Sequence, residues 1–325
     1  MPIRIIITIT TLFVISTCTG QSKVISMLNG RFSFVFPDSA KTQARGVDIM
    51  AADPNENNET RVIYDIGSKR IVFFAEDLLV KSGDNLEAKL KEEATGEYPL
   101  TIKKKDNSDS SICYEITPQK FNDKDQAILI NSLVIKNPDN TLSKLSVYIN
   151  SDAYADKTTF DKITAQVFLS FKKGRRRLNL SARSETFKIL GTKTRYTVKL
   201  PENYVVSVNK NYDFEVYEIK QVSYYGDKEF GNLIVYFGFY PSPMYKDMEL
   251  ENFRTKDTEG EYMLHKLTWS NYQDKKRNLF LREQIFVDDE IEKNAQNHIA
   301  MIASSEKKIE ELTLIVKNSL LKYAN

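Results

Sequence analysis

The chain holds two imidazoles, His265 in EYMLHKLTW and His298 in AQNHIAMIA, and two thiols, Cys18 and Cys113. That supply bounds the chemistry. A nucleophile–base–orienter triad could draw its base from either histidine, but no G-x-S-x-G turn is present to raise a serine for attack. Histidine or cysteine pairs at zinc-ligand spacing are also missing, and both histidines fall in strand-like segments, where a satisfied structural role is expected. Neither G-x-G-x-x-G nor G-x-x-x-x-G-K-[ST] occurs, so no such loop cradles a phosphate. The acidic run DPNENNET, Asp53 to Thr60, offers oxygens of the kind calcium takes. It lacks the turn glycine and bidentate glutamate of an EF-hand and reads as a solvated loop. Carboxylate pairs of the glycosidase type can be assembled from distant parts of a chain, so the sequence neither assigns nor removes them. No catalytic, cofactor-binding or metal-ligating residue is nominated, and no cofactor is expected.

Two patches could make contacts instead. GRRRLNL carries Arg175, Arg176 and Arg177 directly after Lys172 and Lys173. At a helix C-terminus such cations complement the dipole, and they could also meet an acidic partner or anionic lipid headgroups. The stretch VYFGFYPSPMY supplies Tyr236, Tyr240 and Tyr245. Alternation puts Tyr236 and Tyr240 on one strand face and Phe237 and Phe239 on the other, so one set is either covered or left to anchor a partner. These three arginines and three tyrosines are the candidate partner-binding residues. With 46 Lys+Arg against 44 Asp+Glu, the net charge of +2 predicts no strong attraction to nucleic acid.

The N-terminus reads as a targeting signal. After MPIR comes the uncharged run IIITITTLFVIS, then TCTGQSK; that run is shorter than the roughly 20 apolar residues a spanning helix needs. A basic start, a short apolar stretch and small residues before a cut describe a secretory signal peptide over residues 1–20. Two processing routes are open: cleavage after Gly20, leaving Gln21 as the new terminus, or a lipoprotein signal ending at a lipidated Cys18, which would tether the protein to a membrane. Either route leaves Cys113 as the one remaining thiol, so no intramolecular disulfide forms. Cys113 alternates with polar neighbours in SSICYEIT and is expected to be a small buried hydrophobe.

The elements that must position any site come in two sets. RFSFVFPDS, Arg31 to Ser39, is echoed by RYTVKLPEN, Arg195 to Asn203. Each follows a short apolar run and a turn, KVISMLNG or FKILGTK, which together read as a β-hairpin. Phe32, Phe34 and Phe36 share one face, matched by Tyr196, Val198 and Leu200, and a proline then ends each ladder. Arg31 and Arg195 are expected to be exposed strand charges. The far ends correspond too: LSVYINSDAYADKTTFDKITAQVFLSFKKG and HIAMIASSEKKIEELTLIVKNSLLKYAN each give a strand, a cap signal and an amphipathic helix. The helical stripes are Phe160, Ile163, Val167 and Phe171, then Ile309, Leu312, Val316 and Leu320, with Ser304 or Ser305 as the second cap. A short helix is predicted over 85–94, a weaker one over 248–256, and Gly174 is a predicted helix C-cap. The fold class is α+β: two tandem repeats of an antiparallel sheet packed with helices, each ending in a strand–helix, over 22–174 and 184–325.

The opening hairpin with its FP or LP exit, strands around a mid-domain helix and a closing strand–helix resemble the PsbP-like fold, here as a tandem pair. That group includes photosystem extrinsic subunits, small bacterial envelope lipoproteins and secretion effector chaperones. The resemblance implies a protein that binds other proteins, and it carries no functional residues onto this chain. The expectation is therefore an exported, non-enzymatic binding or scaffolding protein of the bacterial envelope. It would recognise a protein or peptide partner, for which a groove between the two domains is suited. The alternatives are a periplasmic immunity protein that neutralises a toxin, or a hydrolase using dispersed carboxylates.

Overall fold

A computed structural model describes residues 24–37, 45–50, 58–89, 100–108, 111–118, 127–189 and 192–322, apart from 87, 138, 140, 211, 263–264, 289–290 and 292–293. For 45–50, 100–108, 111–118 and 136 the backbone alone is described. The export signal with Cys18, most of the acidic run from Asp53, and the Cys113 side chain lie outside the described residues.

The chain is α+β and its strand ladders are antiparallel. Its first part contains β1 (Val24–Met27), β2 (Phe32–Val35), β3 (Arg45–Met50), β4 (Glu59–Ile66) and β5 (Lys69–Leu79). Next come β6 (Leu100–Ser108), β7 (Ser111–Pro118), β8 (Ile128–Lys136) and β9 (Thr141–Ile149), then helices α1 (Ser151–Tyr154) and α2 (Lys157–Ser170), and β10 (Lys172–Lys173). After the connector follow β11 (Arg183–Lys188), β12 (Arg195–Leu200), β13 (Tyr204–Lys210), β14 (Phe214–Gln221) and β15 (Gly231–Gly238). The chain closes through α3 (Met244–Asp247), β16 (Thr258–Tyr262), β17 (His265–Asp274), β18 (Leu279–Val287), β19 (Gln296–Ala303), α4 (Glu306–Lys317) and β20 (Leu320–Lys322).

Two seven-stranded sheets result, in the orders β3-β4-β5-β9-β8-β7-β6 and β13-β14-β15-β19-β18-β17-β16. Each is accompanied by a three-stranded sheet, β1-β2-β10 or β11-β12-β20. A shared hydrogen-bond device fixes the relative register. Asn150 N donates to Arg70 O while its side chain accepts from Arg70 N, and Ser304 does the same with Phe230. Ile71, opposite Ile149, therefore corresponds to Gly231, opposite Ala303.

Each half has its own core. Phe32, Phe34 and Phe36 pack on Val62, Tyr64, Ile71 and Phe73, with Phe160, Ile163 and Val167 of α2 completing the layer. Tyr196, Val198 and Leu200 meet Tyr217, Ile219, Leu233 and Val235, closed by Ile309, Leu312 and Val316 of α4. Phe36 stacks on Tyr64 at 3.7 Å between ring centroids, and burial pushes the Tyr64 hydroxyl up to about 12. Ser305 is the cap of α4, its hydroxyl accepting from Lys308 N. Among the described residues no helix is long and apolar enough to cross a membrane.

Several local expectations need correction. Arg31 is buried, because Asp77 of β5 lies against it and forms an ion pair with its guanidinium. Gly174 does not cap a helix: α2 ends at Ser170, and Lys172 and Lys173 pair with β2. Gly174 is instead needed for close approach, since a Cβ there would collide with the Gly30 carbonyl oxygen. Leu320 belongs to β20 and not to the stripe of α4. The predicted helix over 248–256 is replaced by α3 and a single 3-10 turn at Glu251–Phe253. Of the helix predicted over 85–94, the described part reaches Lys89, whose N donates to Asn85 O.

Candidate functional site

The two halves meet where β5 runs out of the first sheet. Leu79 N donates to Ser223 O and Leu79 O accepts from Tyr225 N, at 2.9 and 2.8 Å, joining the strand end to the loop after β14. Successive side chains point to opposite sides of a strand, so Leu78 and Leu79 anchor two separate apolar contacts. Leu78 joins Val134 and Leu142 around Tyr225 of the second half. Leu79 packs with Val205 and Val222, flanked by Leu178 and Leu180 of the connector. Gly226 turns the loop with φ +84°, a region that favours glycine.

Beside this joint lies a cleft of about 520 Å³ with walls from both halves. The first half contributes Asn58, Glu59, Glu76, Lys89 and Lys144, and the second contributes Gln221 and the loop Ser223–Lys228. Glu59, Glu76 and Lys144 are consecutive cross-strand partners on β4, β5 and β9. They therefore form one row on one sheet face. Lys144 Nζ sits 2.7 Å from Glu76 and under the Tyr225 ring at 5.2 Å. Lys220 crosses from the second half to Glu59 at 2.9 Å. Lys89 Nζ bonds Asp84 and the Tyr225 carbonyl oxygen, and its hydrogen bond holds the Asp84 carboxyl below the usual carboxylate range. Three of the four lysines around the cleft are thus drawn onto acidic groups of the protein, and Lys228 stands exposed on the rim.

The side-by-side carboxylates do not reproduce a glycosidase pair, whose members flank a bond from two sides. Glu59 and Glu76 share one wall, and each faces a lysine. Both histidines face carboxylates as well. His298 Nε2 lies 2.8 Å from Glu283, which also accepts from Met244 N and Tyr245 N and so pins α3 over the second sheet. His265 Nε2 is 3.6 Å from Asp288. Among the described residues no group of three or more His, Cys, Asp or Glu is placed to hold a metal ion.

The residues nominated from sequence do not converge. Arg175, Arg176 and Arg177 are exposed, beyond the end of α2 and not at it. Arg176 donates to the Asn29 carbonyl oxygen, and Arg177 lies 4.0 Å from Asp139. With Arg31, Asp77 and Ser143, Arg176 and Arg177 line a cavity of about 20 Å³, the size of one water. Tyr236 is half-buried and stacks on Phe214 at 5.7 Å, and Tyr240 is 89% exposed. Tyr245 stacks on Tyr272 at 5.0 Å and belongs to the apolar layer under α3. The sequence marked Glu59 only within the acidic run read as a solvated loop, whereas Glu59 and Thr60 open β4 and Asn58 and Thr60 are buried; nothing marked Glu76 or Lys144, because strand pairing alone brings the three together.

No family model matches the sequence, and no curated protein matches it. Among solved structures, the cyanobacterial PsbP (CyanoP) of Synechocystis aligns over 49% of this chain and 98% of its own, at 14% identity and TM-score 0.27. MucB in complex with MucA(peri) aligns over 82% of each chain at 8% identity and TM-score 0.16. The likeness to the PsbP-like group is therefore one of fold, and weak.

Proposed function

We propose that this is an exported, non-enzymatic binding protein of the bacterial envelope, built from two copies of one α+β unit. Its interdomain cleft takes an extended segment of a partner protein. The observation that carries the reading is the cleft itself. It opens on both halves, its size falls within the range of ligand sites, and its lining mixes apolar and aromatic surface with polar groups. The identical strand orders and the matched Asn150 and Ser304 devices support duplication. The signal-like N-terminus supports export. No observation on the structure favours the toxin-neutralising or hydrolase alternatives.

The test is site-specific. A photo-crosslinking residue is placed at Ser223, in the cleft, or at Lys199, on the exposed side of β12. Each variant is exposed to envelope extract, and the products are mapped by mass spectrometry. A partner adduct at Ser223 and not at Lys199 is expected. Equal labelling at both positions, or none at Ser223, overturns the cleft as the site. Intact mass of the mature chain tests export: a chain starting at Gln21, or an acylated Cys18, is expected, and a chain retaining Met1 refutes it.

A further inference from the structure

The cations after α2 are not placed as a helix cap. α2 ends at Ser170, Lys172 and Lys173 pair with β2 as an edge strand, and Arg175, Arg176 and Arg177 follow in the connector. All five side chains are exposed, within six positions of one another. Arg177 comes within 4.0 Å of Asp139, and Arg176 donates to the Asn29 carbonyl oxygen. Asp77, which lines the small cavity beside Lys173, is taken by Arg31. Lys172, Lys173 and Arg175 form no ion pair among the described residues. The patch therefore keeps a surplus of positive charge.

Protruding apolar side chains stand beside this charge. Leu169, in the last turn of α2, is 87% exposed, and Val24 is 61% exposed. Both flank Val35. Val24 pairs with it from β1, and on the other edge Ser170, next to Leu169, accepts a hydrogen bond from Val35 N. Successive strand residues alternate between faces, so Val24, Ser26, Ser33, Val35 and Lys172 share the outward face, away from the buried Ile25, Phe32 and Phe34. One face of the small sheet thus has an apolar end and a basic end. An acidic protein partner would account for the cations alone, whereas a bilayer interface rewards both buried apolar area and positive charge. The course of the chain points the same way. It enters β1 at the apolar end, and Val24 lies six residues beyond Cys18. Such a length spans at most about 20 Å. A lipid on Cys18 would hold this face against the bilayer, and with cleavage after Gly20 the face makes the contact alone.

We infer that the outward face of β1, β2 and β10, together with the connector arginines, is a docking surface for an anionic phospholipid membrane. Lys172, Arg175, Arg176 and Arg177 meet the headgroups, and Leu169 and Val24 enter the boundary with the acyl chains. The cleft and its partner segment take no part in this contact.

The probe is a pair of vesicle preparations, phosphatidylcholine alone or doped with phosphatidylglycerol, mixed with the mature chain beginning at Gln21, which carries no acyl group. Cosedimentation is expected with the anionic vesicles and not the neutral ones, and it should weaken as salt rises. Each cation near an anionic surface is worth roughly fivefold in binding, so Lys172→Gln with Arg175→Gln should weaken it about tenfold or more. Arg195→Gln with Lys322→Gln removes as much charge from the exposed face of β12 and β20 and should cost far less. Thermal melting checks that each variant folds. Leu169→Trp places an indole at the apolar end, and its emission should shift to the blue on anionic vesicles. Leu314→Trp, on the exposed side of α4, should show no shift, and the native Trp269 is buried in either case. The inference is overturned by no binding to the anionic vesicles, by equal binding to neutral ones, by equal loss from the two charge-removing pairs, or by no shift from Leu169→Trp. If vesicle binding fails and a crosslinking residue at Arg175 captures an acidic protein, the patch belongs to that protein instead. Crosslinking at Ser223 tests the cleft separately, so either reading can fail without the other.

Discussion

Replacing Arg31 by Met tests how the first half is held together. The Arg31 and Asp77 side chains are 7% and 2% exposed, and Ser143 Oγ donates to the same carboxylate at 2.6 Å. Removing one member of a buried ion pair costs about 3–5 kcal/mol, because the other charge is left without compensation. For a unit of this size, at ~2–4 °C per kcal/mol, melting of the first half should fall by roughly 10 °C. The pH dependence gives the sharper signature. Burial pushes the Asp77 carboxyl up, against the opposing pull of Arg31 and Ser143, and without Arg31 it rises further. A raised carboxyl favours the folded state below its unfolded pKa of about 3.9, and that contribution is lost as pH rises through the folded value. The deficit of Arg31→Met should thus be full near pH 7 and shrink as the pH is lowered toward 4. The assay is calorimetric melting across that range, with hydrogen exchange to assign the loss to a half. Arg195→Met is the control: Arg195 is exposed, and Phe237 stands at the register position of Asp77. It should stay within about 0.5 kcal/mol of the parent. A loss below about 1 kcal/mol for Arg31→Met at pH 7, or a deficit that does not narrow on acidification, refutes the reasoning.

Phe34→Ala should cost about 3–5 kcal/mol, and Val198→Ala on the order of 2, since both side chains are buried in separate cores. Hydrogen exchange should show each loosening mainly its own half, and uniform loss across the chain would count against separate cores. Ser305→Ala should cost about 1 kcal/mol by denaturant melting through loss of the α4 cap, whereas Ser304→Asp tests the Phe230 clamp without touching that cap. Tyr225→Ala removes the ring seated on Leu78, Val134 and Leu142 and should split calorimetric unfolding into two transitions, one per half. A single unshifted transition would show that the halves are coupled elsewhere.

What the sequence disclosed follows from its periodicities. Phe32, Phe34 and Phe36 and their counterparts declared a buried face because alternation along a strand is a local property. The stripe Ile309, Leu312 and Val316 did the same at helical spacing. Leu320 was misplaced because Asn318, at the end of α4, stops the helix two residues earlier. Arg31 was misread because exposure is not local: its partner Asp77 is 46 positions away, and their pairing depends on packing of the small sheet on β5. The cleft was invisible for the same reason. Glu59, Glu76 and Lys144 come from three strands, and Lys220 from the other half. Only the general expectation of a groove between similar domains could be stated beforehand.

The two halves cover the corresponding faces of their large sheets differently. In the second half, the chain after β15 folds back over its own sheet, where Glu283 holds Met244 N and Tyr245 N. Tyr245 and Met248 then pack on Tyr272, Leu281 and Ala300 and close that face. The row Val216–Tyr236–His298 on that sheet is apolar, aromatic and paired, as suits a face covered by its own chain. In the first half part of this covering comes from the second half, through Tyr225 on Leu78 and Lys220 on Glu59. A gap of about 520 Å³ remains beside the joint. Charges are tolerable in that gap because water or a ligand can reach them, and Glu59 and Glu76 lie on its wall. Geometry thus makes the space, and one row of the first sheet lines its wall with two carboxylates and a lysine.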